Sequence, residues 1–345
     1  MKDVILTTDL YHRHADPNDH WNLASMYALA NLGWIRFAGI MCDDDRALAN
    51  DGSFMHFGDP SVQSIAQLNY ITGMAVPVGF GSRLPIKKKE DLDYVLKSKR
   101  KISSVTLLLE TLQRAEGKVD IHMCGSSKDV LIAYYNAPDL FEKKCDCIYL
   151  NAGTYKIQDP IEYNVSLEPY AFSQIFKIPC NICWAPCFDK LIPYPYMPAK
   201  RANYYEINQS DMVPHMSDAI KKYFNYMYGA VFDENWLSYL RKPLDEELLS
   251  SWANSKRQMW STPGYLLSAG KNVTETGEIV DKTLNTSPLY EYKPVHVRAN
   301  EDGIVEWEDS EESNVLMFIN KDPETFNKAM SEVIKKLMSA LPDMP

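Results

Sequence analysis

The sequence predicts an α/β fold: one open, mixed, mainly parallel sheet with helices on both faces. Three observations carry that expectation. Short apolar runs rich in β-branched residues alternate with stretches of helical periodicity along most of the chain. Several of those runs end in acidic or glycine-containing turns, the order in which parallel sheets present a site at their carboxyl ends. The 345 residues are 46% hydrophobic and 24% charged, enough apolar material for a large core.

Bulk charge narrows the function classes. With 36 basic and 46 acidic residues the net charge is -10, which argues against a general nucleic-acid binder. No apolar run is long enough to span a bilayer and no leader opens the chain. The seven cysteines therefore read as reduced thiols of a cytoplasmic protein, not as a disulfide framework.

Taken in order, residues 4–9 (VILTTD) form a strand that ends in Asp9. A polar loop follows with Asp16, Asn18 and Asp19 and with His12, His14 and His20, and helical spacing begins at Trp21. Strand, acidic loop and helix place oxygen ligands together, which suits a hard divalent cation such as calcium or magnesium. The same acids could instead cap the helix, and the histidines could hold zinc, iron or nickel.

Residues 34–41 predict a second strand, running into Cys42-Asp43-Asp44-Asp45 as a solvated acidic turn. Gly58-Asp59-Pro60-Ser61 opens a helix through residue 72, with proline in the first turn. Residues 75–80 are a short buried strand, and residues 87–101 a charged surface excursion of interleaved sign. A helix over 103–115 leads to a strand over 119–124. Gly125 to Asp129 then open the next helix. Strands at 147–150 and 182–185 flank a helix at 168–176.

From Tyr194 the pattern changes to proline- and tyrosine-rich sequence, with helical stretches at 216–228 and 245–259. These predict a helical cap, residues 194–270, at the ligand end of a single domain spanning 1–345. Residues 290–297 and 303–307 suggest an antiparallel pair, followed by a strand at 315–319 and a closing amphipathic helix at 323–341.

Cys180-x-x-Cys183-x-x-x-Cys187, with Cys145 and Cys147 upstream, has the spacing of some metal sites. Alternation along a strand points Cys180 and Cys183 to opposite faces, so buried structural thiols are the better reading. No Gly-x-Ser-x-Gly motif, phosphate-binding glycine loop or dinucleotide fingerprint is present.

Several segments together resemble the inosine–uridine-preferring nucleoside hydrolase family. Residues 4–9 and then Asp16-Pro17-Asn18-Asp19 are similar to its opening Asp-Thr-Asp-Pro-Gly-x-Asp-Asp motif, with a loop inserted after Asp9. Gly58-Asp59-Pro60-Ser61-Val62 resembles its Gly-Asn loop, and Cys124-Gly125-Ser126-Ser127-Lys128-Asp129 its Thr-Gly-Pro-Leu-Thr-Asn turn. Residues 148–153, Glu162-Tyr163-Asn164 and Glu168-Pro169-Tyr170-Ala171 resemble its Met-Gly-Gly and Glu-Phe-Asn stretch. The likeness runs in order over nearly the whole chain.

The resemblance implies a nucleoside-hydrolase-like sheet and a metal-dependent N-ribohydrolase, of the kind used in purine or pyrimidine salvage. Asp9 and Asp19, with the backbone carbonyl of Cys124, would bind calcium, and Asp9 would be the general base for the attacking water. Glu162 and Asn164 would hold ribose hydroxyls, with Asn18 and Asp59 near the 2′ side and Trp260 against the substrate. The partner implied is a nucleoside or related riboside, and the assembly a homodimer or homotetramer.

Two departures stand out. Asn18 occupies an acid position of the motif. The family's late His-Asp-Pro maps onto Ser261-Thr262-Pro263, so Thr262 would offer calcium only a neutral hydroxyl, with Asp16 or a loop histidine to compensate. Ribosyl-ligand binding without hydrolysis, and metal-assisted cleavage of another glycoside, are the alternatives these departures leave open.

Overall fold

The computed structural model describes residues 1–10, 17–43, 60–98, 100–191, 196–231, 235–284 and 287–344. His12, His14, Asp16, Asp59 and the turn beyond Asp43 lie outside the described residues.

The strands are β1 (Lys2–Thr8), β2 (Ile35–Cys42), β3 (Val78–Phe80), β4 (Val119–Cys124), β5 (Cys145–Asn151), β6 (Asn181–Ala185), β7 (Tyr205–Asn208), β8 (Lys256–Met259), β9 (Lys271–Val273), β10 (Ile279–Asp281), β11 (Tyr290–Ala299), β12 (Val305–Asp309) and β13 (Val315–Asn320). The first six, with β11 to β13, form one sheet in the order β12-β11-β13-β6-β5-β4-β1-β2-β3. Pairing is parallel from β3 across to β13, and antiparallel only where β11 joins β13 and β12.

The α-helices of the first half are α1 (Pro17–Asn31), α2 (Pro60–Thr72), α3 (Lys89–Ser98), α4 (Ser103–Arg114), α5 (Lys128–Asn136), α6 (Pro138–Lys144), α7 (Tyr163–Leu167) and α8 (Pro169–Ile175). Those of the second half are α9 (Gln209–Met212), α10 (Asp218–Tyr228), α11 (Glu246–Ala253), α12 (Thr262–Ser268) and α13 (Pro323–Ser339).

Alternation along β1 divides the core into two layers. Val4 and Leu6 join the layer built with α1, α2, α10 and α13, whereas Ile5 joins the layer of α3, α4, α5 and α8. A strand buried on both faces is what a parallel sheet between helical layers requires. Helix α1 is buried from Asp19 through Leu29. Its polar residues therefore face protein or a cavity, not bulk water.

Three expectations change here. The charged excursion at 87–101 contains an amphipathic helix, α3, because Leu92 and Val95 fall one turn apart and both bury into the core. The helix expected through residue 259 stops at Ala253, and Lys256–Met259 turns back as β8 to pair antiparallel with β7. Helices α10 and α11 pack with α1, α2 and α13 in the same core layer.

The sheet order also fixes where a site can form. From β1 the chain winds outward through β2 and β3, then returns to place β4 on the other side of β1. That reversal opens a crevice at the carboxyl ends of β1 and β4. Gly125, just after β4, lies so close to the end of β1 that an added Cβ would sit 2.9 Å from the Asp9 nitrogen and 2.7 Å from an Asp43 carboxylate oxygen.

Among the described residues no helix is long and apolar enough to cross a membrane. The crowding at Gly125 predicts that Gly125→Ala costs about 1–3 kcal/mol, as overpacking of a tight site does. Gly117→Ala, where nothing lies within 4 Å of an added Cβ, serves as the neutral control. Urea-unfolding midpoints of the two variants check this.

Candidate active site

A cavity of about 420 Å³ opens at the carboxyl ends of the central strands. Asp9 enters it directly after β1, Cys124 is the last residue of β4, and Asn151 is the last of β5. The start of α1 adds Asn18, Asp19 and Asn22 to the same wall. Positions 18, 19 and 22 share one face of a helix, which is why the half-buried Asn18 and the buried Asp19 and Asn22 line one wall.

The opposite face of α1 is anchored away from the cavity. Trp21 packs on Phe224 at 4.3 Å between ring centroids and donates its indole N–H to Gln209. His20 is 2% exposed and meets the Tyr223 hydroxyl through Nδ1 at 2.9 Å. It is a core residue of the α1–α10 contact, so the histidine reading of the loop loses this member.

Glu162 and Asn164 line the cavity from the turn that starts α7. The Glu162 carboxylate accepts from the backbone N–H groups of Gly153 at 2.8 Å, Asn164 at 3.0 Å and Val165 at 3.3 Å. Burial nevertheless raises its pKa above the ordinary carboxylate value, against the lowering effect of those bonds. Three N–H groups leave the carboxylate spare acceptor capacity for a hydroxyl.

The late segment contributes Trp260 and Ser261 to the wall. Thr262 is not part of it. The Thr262 hydroxyl is fully buried and bonded to the Tyr205 hydroxyl at 2.7 Å. Ser261 accepts instead from the Cys124 thiol at 3.1 Å, and the Tyr265 hydroxyl meets the same sulfur at 3.1 Å. Burial pushes the Cys124 thiol up to about 11, helped by the charge of Asp9 and opposed by its two hydroxyl partners. This cluster is therefore neutral at physiological pH.

Among the described lining residues, the ionic groups are the three acids Asp9, Asp19 and Glu162. Burial, followed by the charges of Glu162, Cys124 and Asp19, raises the Cys187 thiol as well. An acidic recess with no described lysine, arginine or histidine in its wall favours a cation or a developing positive charge. Among the described residues no three His, Cys, Asp or Glu side chains converge as a metal-holding group. The donors that do share the wall are mostly oxygens, the chemistry of a hard cation.

The cysteine pattern is structural. All seven cysteines are buried thiols, and the Cys145 and Cys180 sulfurs lie 3.4 Å apart between neighbouring strands.

Thus the cavity gathers Asp9, Asn18, Asp19, Cys124, Glu162, Asn164 and Trp260, leaves Thr262 outside, and says nothing of Asp16 and Asp59. The sequence reading passed over Asn22 and Asn151. Helical i, i+3 spacing from Asp19 was the available signal for the first, and position at a strand end for the second. Phe188 and Tyr196, with ring centroids 4.1 Å apart and tilted beside Trp260, also line the cavity; Tyr196 belongs to the proline- and tyrosine-rich run, whereas no pattern marks Phe188.

Helix α12, just behind Ser261, is held from below. Ser268 donates to Asp120 at 2.7 Å and meets Nε2 of His122 at 2.8 Å, while the His122 ring stacks on Tyr149 at 4.4 Å. Gly264 fits against that stack, an added Cβ reaching 3.0 Å from the Tyr149 ring.

No protein-family model and no curated protein matches this chain in sequence. Solved structures match it in shape. The plant nucleoside hydrolase PpNRh1 aligns with a TM-score of 0.55 at 14% identity, over 97% of this chain and 99% of its own. A purine-preferring ribonucleoside hydrolase from Gardnerella vaginalis aligns with a TM-score of 0.55 at 12% identity, over 98% and 99%. The type III effector XopQ, solved with adenosine diphosphate ribose, aligns at 0.51 with 14% identity, over 99% and 94%. The chain has the fold of the nucleoside hydrolases.

The buried pair under α12 generates a pH prediction. Burial lowers His122 from 6.5 to about 3, so between those values the unfolded chain binds a proton that the folded protein does not, and stability falls as pH drops. Burial raises Asp120 from 3.8 to about 6, which has the opposite sign across that narrower window. The two offset in the wild type. Asp120→Asn removes the offset, so its urea midpoint should fall with acidification from pH 6 to pH 4 more steeply than wild type. The expected difference is about 1.4 kcal/mol per pH unit; parallel pH profiles would contradict it.

Proposed function

We propose that the protein is a divalent-cation-dependent N-ribohydrolase that cleaves the N-glycosidic bond of a nucleoside or related riboside. One observation carries this reading: Asp9 and Asp19 are 4% and 2% exposed, and both stand in the wall of one cavity at the sheet's topological switch point. Glu162 and Asn164 share that wall. The nucleoside-hydrolase fold supports the same class of reaction.

The residues present fit a hard cation, because the buried carboxylates share the wall mostly with oxygen donors and the two thiols there, Cys124 and Cys187, are held protonated by burial. Asp9, Asp19 and the backbone carbonyl of Cys124 would hold calcium, with Asp16 a further candidate from outside the described residues. Thr262 was expected among the ligands; its hydroxyl is committed to Tyr205, and Ser261 has the place in the wall. When bound, the cation supplies Lewis acidity toward water and an anchor for ribose hydroxyls.

Asp9 accepts the proton of the attacking water as general base. Glu162, fixed by its three backbone donors, and Asn164 orient the ribose, with Asn18 toward its 2′ side and Asp59, outside the described residues, a further candidate there by resemblance. Oxocarbenium character develops on the sugar as the bond to the base breaks, and the buried acids stabilise that charge. Trp260, Phe188 and Tyr196 give the departing base an aromatic surface. Recognition of the ribose and of the base thus falls to different walls.

A second reading, binding of a ribosyl ligand without turnover, is favoured by one observation. Ser261 and Thr262 are neutral hydroxyls, bonded to Cys124 and Tyr205, at the positions where the resembled family carries a histidine and an aspartate. Incubation with purine and pyrimidine nucleosides and adenosine diphosphate ribose in calcium, with chromatography of the products, separates the two. The proposal expects free base and ribose from a nucleoside, and a kcat lowered about 10²- to 10⁴-fold in Asp9→Asn. Saturable ribose binding without released base would replace it by the second reading.

A further inference from the structure

Among the described residues that line the cavity, Asn22 and Trp260 each carry a buried polar atom without a hydrogen-bond partner, and of the two only Asn22 offers an acceptor oxygen. Its side chain is 2% exposed and lines the cavity, and its Oδ1 has no hydrogen-bond partner among the described residues. Its Nδ2 donates to Oδ1 of Asp19 at 3.4 Å. That contact settles which way the amide faces: turning it over would set its oxygen against a carboxylate oxygen and lose the donor. The amide oxygen is therefore the end of the side chain left over once the amide nitrogen has engaged Asp19. A buried acceptor left unpaired in this manner calls for a partner that the protein itself does not supply.

We infer that the Asn22 side-chain oxygen is a ligand of the divalent cation, taking up coordination that the late segment of the chain does not provide. This rests on the cation-dependent reading of the cavity given above. The late segment has no acid to offer: Thr262 is bonded to Tyr205, and Ser261 to Cys124. Two carboxylates, Asp9 and Asp19, already balance a divalent charge. A neutral amide oxygen adds a hard donor without adding charge, and asparagine carbonyls are ordinary calcium ligands.

Helix geometry supports the same assignment. Asp19 and Asn22 are three residues apart on α1, so their side chains lie over one another on one face. Both line the cavity from one rigid element, while Asp9 lines it from the end of β1. The Asn22–Asp19 contact gives Asn22 a second task, orienting the acid it stands beside.

Calcium titration by calorimetry, without substrate, tests this in the full chain. Asn22→Ala should weaken calcium binding about tenfold or more, while Asn22→Asp, which keeps an oxygen in place, binds at least as tightly as wild type. Circular dichroism and melting without calcium confirm that each variant is folded; Asn22→Asp carries the test should Asn22→Ala fail to fold. Unchanged affinity in Asn22→Ala, with binding lost in Asp19→Ala, would overturn the role of Asn22 and leave the cation reading standing. Tenfold weaker binding in Asn22→Asp would also overturn it. A wild type that binds no calcium, magnesium or manganese would remove both.

Discussion

The arrangement depends on how closely the ends of β1 and β4 approach each other. β1 is flanked by β2 and β4 because the chain reverses its winding direction there, and the strands on either side lead away from that point. Their helical connections diverge with them and leave a crevice at the carboxyl ends. Gly125 permits the approach, since any side chain would press on the Asp9 backbone. Asp9 and Cys124 consequently belong to the same small volume although they are far apart in sequence. The two helical layers hold the strands in that relation by burying alternate residues of β1 on opposite sides.

Onto this frame α1 brings a buried polar edge. Burying Asp19 and Asn22 is costly unless their polar atoms are matched. The anchoring of Trp21 and His20 on the other side of the helix shows what offsets that cost: aromatic packing against Phe224 and a bond to Tyr223. A helix pinned so firmly can carry an unfavourable edge if that edge is to receive something. The neutral cluster of Cys124, Ser261 and Tyr265 completes the floor, and the Asp120–Ser268–His122 chain fixes the helix behind it. Charge in the described wall is thereby confined to the acids.

Much of the fold was legible because strand periodicity and turn chemistry agree along the first half of the chain. The run ending in Asp9, the run ending in Cys124 and the run ending in Asn151 all became strands of the parallel sheet. The second half was less legible. Residues 256–259 continue a helical pattern, yet pair as β8 with β7, a contact made by a segment some fifty residues away that no local pattern announces. Residues 87–101 hid α3 because charge dominates its composition while only Leu92 and Val95 anchor it. At the site, Thr262 could be aligned by motif order but not oriented. Which of two adjacent hydroxyls faces the cavity is decided by Tyr205, whose position depends on the β7–β8 pair. Asn22 is harder to read because its i, i+3 spacing from Asp19 gains meaning only once both are seen to line the cavity.

The central claim is that the acidic recess between β1, β4 and α1 binds a divalent cation together with a ribosyl group. A crystal structure of the protein with calcium and ribose tests it most directly. Calcium is expected between Asp9 and Asp19, with ribose hydroxyls on it and within reach of Glu162 and Asn164. Calcium bound only elsewhere, or ribose seated away from these acids, would contradict it.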